Sequence, residues 1–163
     1  MVHVREKKTC EGTQVVSIEL LDAPFDPYAA ISDFRRRTLG SGALSSFVGF
    51  VRDESGAVEK LLLECYPGFT DRELDRIDKQ VRQRFDLADT MIIHRFGVLL
   101  PDDPIVLVCA ASAHRKEAIG AVDCLMDYLK TDAPFWKKEL GLQEGRWIEP
   151  RPQDRLSRAN WEN

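Results

Sequence analysis

Residues 105–131 constrain the fold more than any other stretch. An apolar run, 105–111, leads through Ser112-Ala113-His114-Arg115 into Ala118, Ile119, Val122, Leu125, Met126 and Leu129. Those six residues recur at i, i+1, i+4, i+7, i+8 and i+11, which puts them on one face of an α-helix. A helix with such a face needs an apolar surface to cover it, and the strand-like run before it belongs to a sheet that can supply one. Pro134 limits the helix: it has no N–H for the carbonyl of Lys130, and it pushes Ala133 out of the helical region. Residues 135–140 read as a further short turn of helix.

The rest of the chain supplies more of both elements. Residues 14–20 alternate like a first strand. Asp26-Pro27 is a helix start, followed by the stripe Ala30, Ile31 and Phe34, with Gly40 at the expected end. Residues 42–52 and 58–66 read as strands around the turn Asp53-Glu54-Ser55-Gly56, and so as a hairpin. Pro67-Gly68 breaks the second of these. Thr70, with Glu73 three residues on, fits a capping box before Leu74, Ile77, Val81 and Phe85. Residues 91–100 read as one strand.

The order β-α-β-β-α-β-β-α predicts an α+β fold rather than a regular parallel βαβ series. The expected domain spans 14–150, between a polar N-terminal arm (1–13) and a polar surface tail (151–163).

The net charge of −4 argues against a chain drawn as a whole to nucleic acid or to anionic membranes. Any anion site must then be a local cluster of cations. No apolar run approaches the roughly 20 residues that span a bilayer. The start carries Arg5, Lys7 and Lys8 with no apolar stretch after them, unlike a secretory signal, so the expected location is the cytoplasm. Cys10, Cys65, Cys109 and Cys124 form no C-x-x-C pair, so no metal site is expected, and the thiols read as packed and reduced.

Two clusters point to chemistry. Ser112-Ala113-His114-Arg115 stands where a strand ends and the long helix begins. Free N–H groups and a partial positive charge attract anions there, and an Arg can grip a phosphate bidentately. A capped helix with an exposed Arg is the plain alternative. Lys130 and Lys137 are seven residues apart with Pro134 between them, and a bend there can aim both ammonium groups into one hollow. Two cations sharing a site lower each other's pKa, which suits a base or nucleophile. Two solvated lysines are the plain alternative here. Arg52, at a strand end, is a weaker candidate, and Phe135-Trp136 and Arg146-Trp147 are as much core as ligand platform.

Taken together, Ser112-Ala113-His114-Arg115, the run Met126-Asp127-Tyr128-Leu129-Lys130-Thr131 and the run Ala133-Pro134-Phe135-Trp136-Lys137-Lys138-Glu139 resemble the signature of the molybdopterin synthase large-subunit family. Gly49-Phe50-Val51-Arg52, Tyr66-Pro67-Gly68, Ile93-His94-Arg95 with Gly97, and Arg146-Trp147 are similar to it too. The resemblance covers about residues 14–150. It implies an α/β-hammerhead-like mixed sheet packed by about three helices, with a small additional β sub-domain.

It also implies an enzyme that converts cyclic pyranopterin monophosphate to molybdopterin without a metal or cofactor of its own. Sulfur would arrive as a thiocarboxylate on the C-terminal Gly-Gly of a small ubiquitin-like subunit. Two large subunits would form a central homodimer within a heterotetramer. By the same resemblance Lys130 and Lys137 are catalytic. Phe50, Val51, Arg52, His114, Arg115, Lys138, Glu139 and Arg146 line the substrate. Phe50 and Cys65 depart from the family pattern, which leaves the Phe50 backbone rather than its side chain to touch substrate. Two other classes stay open: a binding module for such a tail, and a lysine Schiff-base enzyme acting on a sugar phosphate.

Overall fold

The structure, a computed structural model, describes residues 17–53, 58–141, 146–148 and 152–162. The expected arm (1–13), the start of the first strand (14–16), Glu54, Ser55 and Gly56 of the turn, and residues 149–151 of the tail lie outside the described residues. In chain order the elements are β1 (Ile18–Leu21), α1 (Pro27–Arg37), β2 (Ala43–Phe50), β3 (Val58–Cys65), α2 (Phe69–Arg84) and β4 (Asp89–Arg95). There follow β5 (Gly97–Leu99), β6 (Pro104–Ser112), α3 (Arg115–Thr131), β7 (Phe135–Gly141), β8 (Arg146–Ile148) and α4 (Pro152–Ala159). The α+β expectation holds, with two four-stranded sheets.

The first sheet runs β1-β4-β6-β2, with β1 parallel to β4 and the other pairs antiparallel. Its strands alternate between two cores. Ile92, Val106, Val108 and Ala110 face Leu74, Ile77 and Val81 of α2 and Ala121, Leu125 and Leu129 of α3. Met91, Ile93, Leu107, Cys109 and Ala111 face Phe34 of α1. With both faces covered, residues 105–111 carry a continuous apolar run instead of an alternation.

The second sheet runs β5-β3-β7-β8, all antiparallel. Leu61, Leu63 and Leu99, with Phe135 of its own β7, pack it onto Val51 and Ile105.

Five local expectations are corrected. Residues 42–52 and 58–66 form no hairpin, since β2 pairs with β6 while β3 pairs with β5 and β7. Residues 91–100 are two strands: Gly97, at φ +86°, turns the chain from the first sheet into the second. Residues 135–140 are strand rather than helix, because β3 offers a partner from Cys65↔Phe135 to Lys60↔Leu140.

The start of α2 is Gly68 rather than Thr70, with the Asp71 carboxylate accepting from Gly68 N–H at 2.7 Å. The buried Thr70 hydroxyl instead accepts from Tyr66 N–H at 3.1 Å and donates to the Pro134 carbonyl at 3.4 Å. Finally, the tail holds a helix, α4, so the described residues contain four helices. Asp26 does cap α1 as expected, accepting from Tyr28 and Ala29 N–H at 2.9 and 3.1 Å.

Candidate functional site

Lys130 stands in the last turn of α3, which ends before the proline. The carbonyl of Tyr128 takes the N–H groups of both Asp132 (2.8 Å) and Ala133 (3.3 Å), which closes the helix and frees the chain to enter β7. In the register of β7, Lys137 lies opposite Leu63 of β3 and Ile148 of β8, and Leu63 is 1% exposed. Side chains two apart on a strand share a face, so Phe135, Lys137 and Glu139 point the same way. That is the face on which Leu61 and Leu63 are buried.

Lys137 is thus an ammonium on an apolar surface. Burial pushes its pKa below the usual lysine value, the charge of Lys130 pushes the same way, and Asp154 opposes both. The bend expected between the lysines is a change from helix to strand. It brings the two cations within electrostatic reach of each other.

Two further groups stand close to the lysines. His94, at the end of β4, stacks on Phe135 with ring centroids 3.7 Å apart and planes 12° from parallel. Its Nδ1 lies 2.8 Å from the Arg95 carbonyl, which can only accept, so Nδ1 carries a proton; burial, which lowers the ring's pKa to about 3, keeps the imidazole neutral. On the other side Asp154 of α4 meets Lys130 Nζ at 3.5 Å.

The remaining candidates divide by position. Glu139 shares the face of Lys137. Lys138 lies on the opposite face, 5.5 Å over the Trp147 ring, and Trp136 there meets Tyr66 edge-on at 5.1 Å. Arg146 pairs with Glu139 through the backbone, and its side chain is outside the described residues. Phe50 ends β2 and is exposed. Val51 is buried and exchanges backbone hydrogen bonds with Asp102 and Asp103 at 2.9 Å, and Arg52 follows it into solvent. These three lie near Pro104, where β6 begins, and α3 runs back toward that end from the finish of β6. Arg52 and the lysines therefore occupy one end of the first sheet.

His114 and Arg115 do not. Exposed at the start of α3, they are separated from Lys130 by the helix, about 22 Å at 1.5 Å per residue. His114 holds the cap position without a side-chain cap bond, and its N–H donates to Ser112 Oγ at 3.3 Å. Within one chain the arrangement joins Lys130, Lys137 and Glu139 and leaves the anion-binding pair at the far end.

Two members of the site escaped sequence reading. His94 lies in a strand-like run, and the family resemblance of Ile93-His94-Arg95 gave it no role of its own. Asp154 lies in a polar tail, where Pro152 with a carboxylate two residues on was the available helix-start signal. Of the thiols expected to be packed, Cys109 and Cys124 are buried, and burial pushes them up to about 12 and about 11; Cys65 is half-buried, and Cys10 lies outside the described residues. Cys65 is raised by burial and then by Asp71. Among the described residues no cluster of His, Cys, Asp or Glu is arranged to hold a metal, and no helix is long and apolar enough to cross a membrane.

Known proteins give the same fold and a family. The profile of the family described as "MoaE protein" matches residues 20–132. The molybdopterin synthase catalytic subunit of Caulobacter vibrioides is 47% identical over 145 residues, covering 89% of this chain and 97% of that protein. The molybdopterin synthase catalytic subunit of Ralstonia nicotianae is 45% identical over 147 residues, covering 89% and 84%. Among solved structures, the molybdopterin biosynthesis MoaE protein from Burkholderia ambifaria superposes with a TM-score of 0.78 at 40% identity, covering 91% of this chain and 99% of that one. Molybdopterin synthase from Staphylococcus aureus gives 0.74 at 28% identity, covering 83% and 98%. The chain, by profile, sequence and fold alike, belongs to the MoaE family.

Proposed function

We propose that this chain is the catalytic subunit of a molybdopterin synthase, a sulfurtransferase of molybdenum cofactor biosynthesis. It takes sulfur from the C-terminal thiocarboxylate of a small ubiquitin-like subunit and installs it on cyclic pyranopterin monophosphate as the dithiolene. The observation that carries this reading is Lys137, an ammonium set among leucines and held at a lowered pKa by burial and by Lys130. Donor and acceptor are both anionic, and each transfer develops negative charge on the oxygen or leaving group at the reacting carbon. Paired cations, of which Lys137 is largely withdrawn from water, stabilise that charge. A lysine of lowered pKa can also move a proton near neutral pH.

Lys130, half exposed at the mouth, is assigned to the reacting carbon, and Lys137, deeper, to tuning Lys130 and holding substrate. Phe50, Val51 and Arg52 stand at the same end to meet substrate. Glu139 shares the inner face with Lys137, while Lys138, on the opposite face, and Arg146 are assigned to substrate by the family resemblance alone.

His114 and Arg115 are about 22 Å along α3 from Lys130 and reach a substrate phosphate only if a second copy of the chain contributes them. That need favours a homodimer, with a small subunit serving each site. Incubation of the chain with thiocarboxylated partner and cyclic pyranopterin monophosphate tests the reading. Intact mass should show the partner's thiocarboxylate turning to carboxylate only when both chain and pterin are present. A stable complex without conversion would leave a binding module.

A further inference from the structure

We infer that Asp154 of α4 is a further charged member of the lysine site, a positioning residue that holds the Lys130 ammonium and offsets the repulsion between the two lysines. This inference rests on the lysine roles proposed above. Its geometry is specific. The Asp154 carboxylate stands 3.5 Å from Lys130 Nζ and is 21% exposed.

The helix that presents it is fastened to the last turns of α3 and to the segment after them. Arg158 donates to Asp132 from Nε (3.3 Å to each oxygen) and from its second terminal nitrogen (3.1 Å), and its guanidinium lies 4.3 Å over the Tyr128 ring. Trp161 Nε1 donates to Asp127 at 2.7 Å, and Arg84 of α2 donates to the Trp161 carbonyl at 2.5 Å. So α4 is pinned beside Lys130, through Asp127 and Tyr128 of the lysine's own helix, Asp132 just after it and Arg84 of α2. This is a rigid way to deliver one carboxylate.

The charge balance follows from what faces the hollow. Among the described residues, α3 supplies Lys130, β7 supplies Lys137 and Glu139, β4 supplies the neutral His94, and α4 supplies Asp154. Asp127 and Asp132 are engaged by Trp161, Arg158 and Arg76. A carboxylate beside two ammonium groups favours their charged forms, against the burial that disfavours them. Asp154 thereby limits how far the proton affinity of Lys137 falls. The family profile ends at residue 132, so this contribution lies beyond the matched region.

The test is amine labelling of Lys130 and Lys137, read by peptide mass spectrometry across pH on the free, full-length protein. Asp154→Asn keeps the shape and removes the charge, so the Lys137 labelling midpoint should move to lower pH. Arg158→Ala, which loosens the helix, should move it the same way, and the two changes should not add. Superimposable Lys137 curves for wild type and Asp154→Asn would overturn the inference. Sulfur transfer is measured in parallel. A shifted labelling curve with an unshifted activity profile upholds the Asp154 contact and counts against the catalytic roles of the lysines.

Discussion

The His94 ring lies stacked on the Phe135 ring, 3.7 Å between centroids, and this pair joins the end of the first sheet to the start of β7. Phe135 is two residues before Lys137 on the same face, so the stack fixes where the lysine emerges. Burial pushes the imidazole down to about 3, the Arg95 carbonyl opposes this by accepting its proton, and the charge of Lys137 adds to the fall.

A pH dependence follows, and its sign is set by the direction of that shift. In the unfolded chain His94 titrates near the ordinary value of about 6.5. Below it the unfolded state binds a proton that the folded state refuses. Stability should therefore be full above about 6.5 and fall toward about 3, with a slope approaching 1.4 kcal/mol per pH unit from this one residue. Urea unfolding of wild type and His94→Phe across that range checks it. The variant keeps the stack and should lose most of the slope. His94→Ala should cost about 2–4 kcal/mol at neutral pH.

The second prediction concerns a half-buried ionic chain that starts at the buried Asp78. Asp78 of α2 accepts from the fully buried Thr90 hydroxyl and from Arg82 Nε at 2.8 Å. Arg82 also reaches Asp89 at 2.8 Å, and Asp89 accepts from Arg37 of α1 at 3.0 Å. Asp78→Ala leaves a buried hydroxyl and part of a guanidinium without their acceptor, at a cost of about 2–3 kcal/mol. Thr90→Val should cost less. Chemical denaturation midpoints decide the order.

The third concerns Gly42, just before β2. A Cβ there would stand 2.3 Å from the Ala113 carbonyl oxygen, and backbone cannot swing aside as a side-chain tip can. Gly42→Ala should destabilise by about 1–3 kcal/mol. It should also displace the segment leading to His114 and Arg115, seen as amide shift changes confined to those residues and their neighbours. A variant with wild-type stability and spectrum would refute the close approach.

Where the sequence was informative, the signal was local. The six-residue stripe of α3 and the Asp26-Pro27 cap need only neighbouring residues to be read. The errors were non-local. Strand β7 is a strand because β3, some seventy residues earlier, offers its backbone, and nothing between 135 and 140 announces that partner. The hairpin misreading has the same origin, since β2 finds β6 instead of its neighbour in sequence. Gly97 was visible as a glycine, but its positive φ and the change of sheet were not.

At the site, Pro134 pointed to a bend between the lysines, and the family resemblance supplied their importance. His94 stayed hidden among isoleucines. Asp154 stayed hidden in the tail, because its role depends on α4 docking through Arg158 and Trp161. The separation of His114 and Arg115 from Lys130 follows from the length of α3, once the helix is known to run unbroken between them.

The central claim is that Lys130 and Lys137 together carry sulfur transfer. The direct measurement is the single-turnover rate of partner thiocarboxylate consumption, by intact mass, for wild type, Lys130→Ala and Lys137→Ala at equal folded concentration. The account predicts a loss of at least about 10²-fold for Lys130→Ala, a smaller loss for Lys137→Ala with a displaced pH profile, and unchanged thermal unfolding for Lys130→Ala. A Lys130→Ala protein that transfers sulfur at the wild-type rate would contradict it.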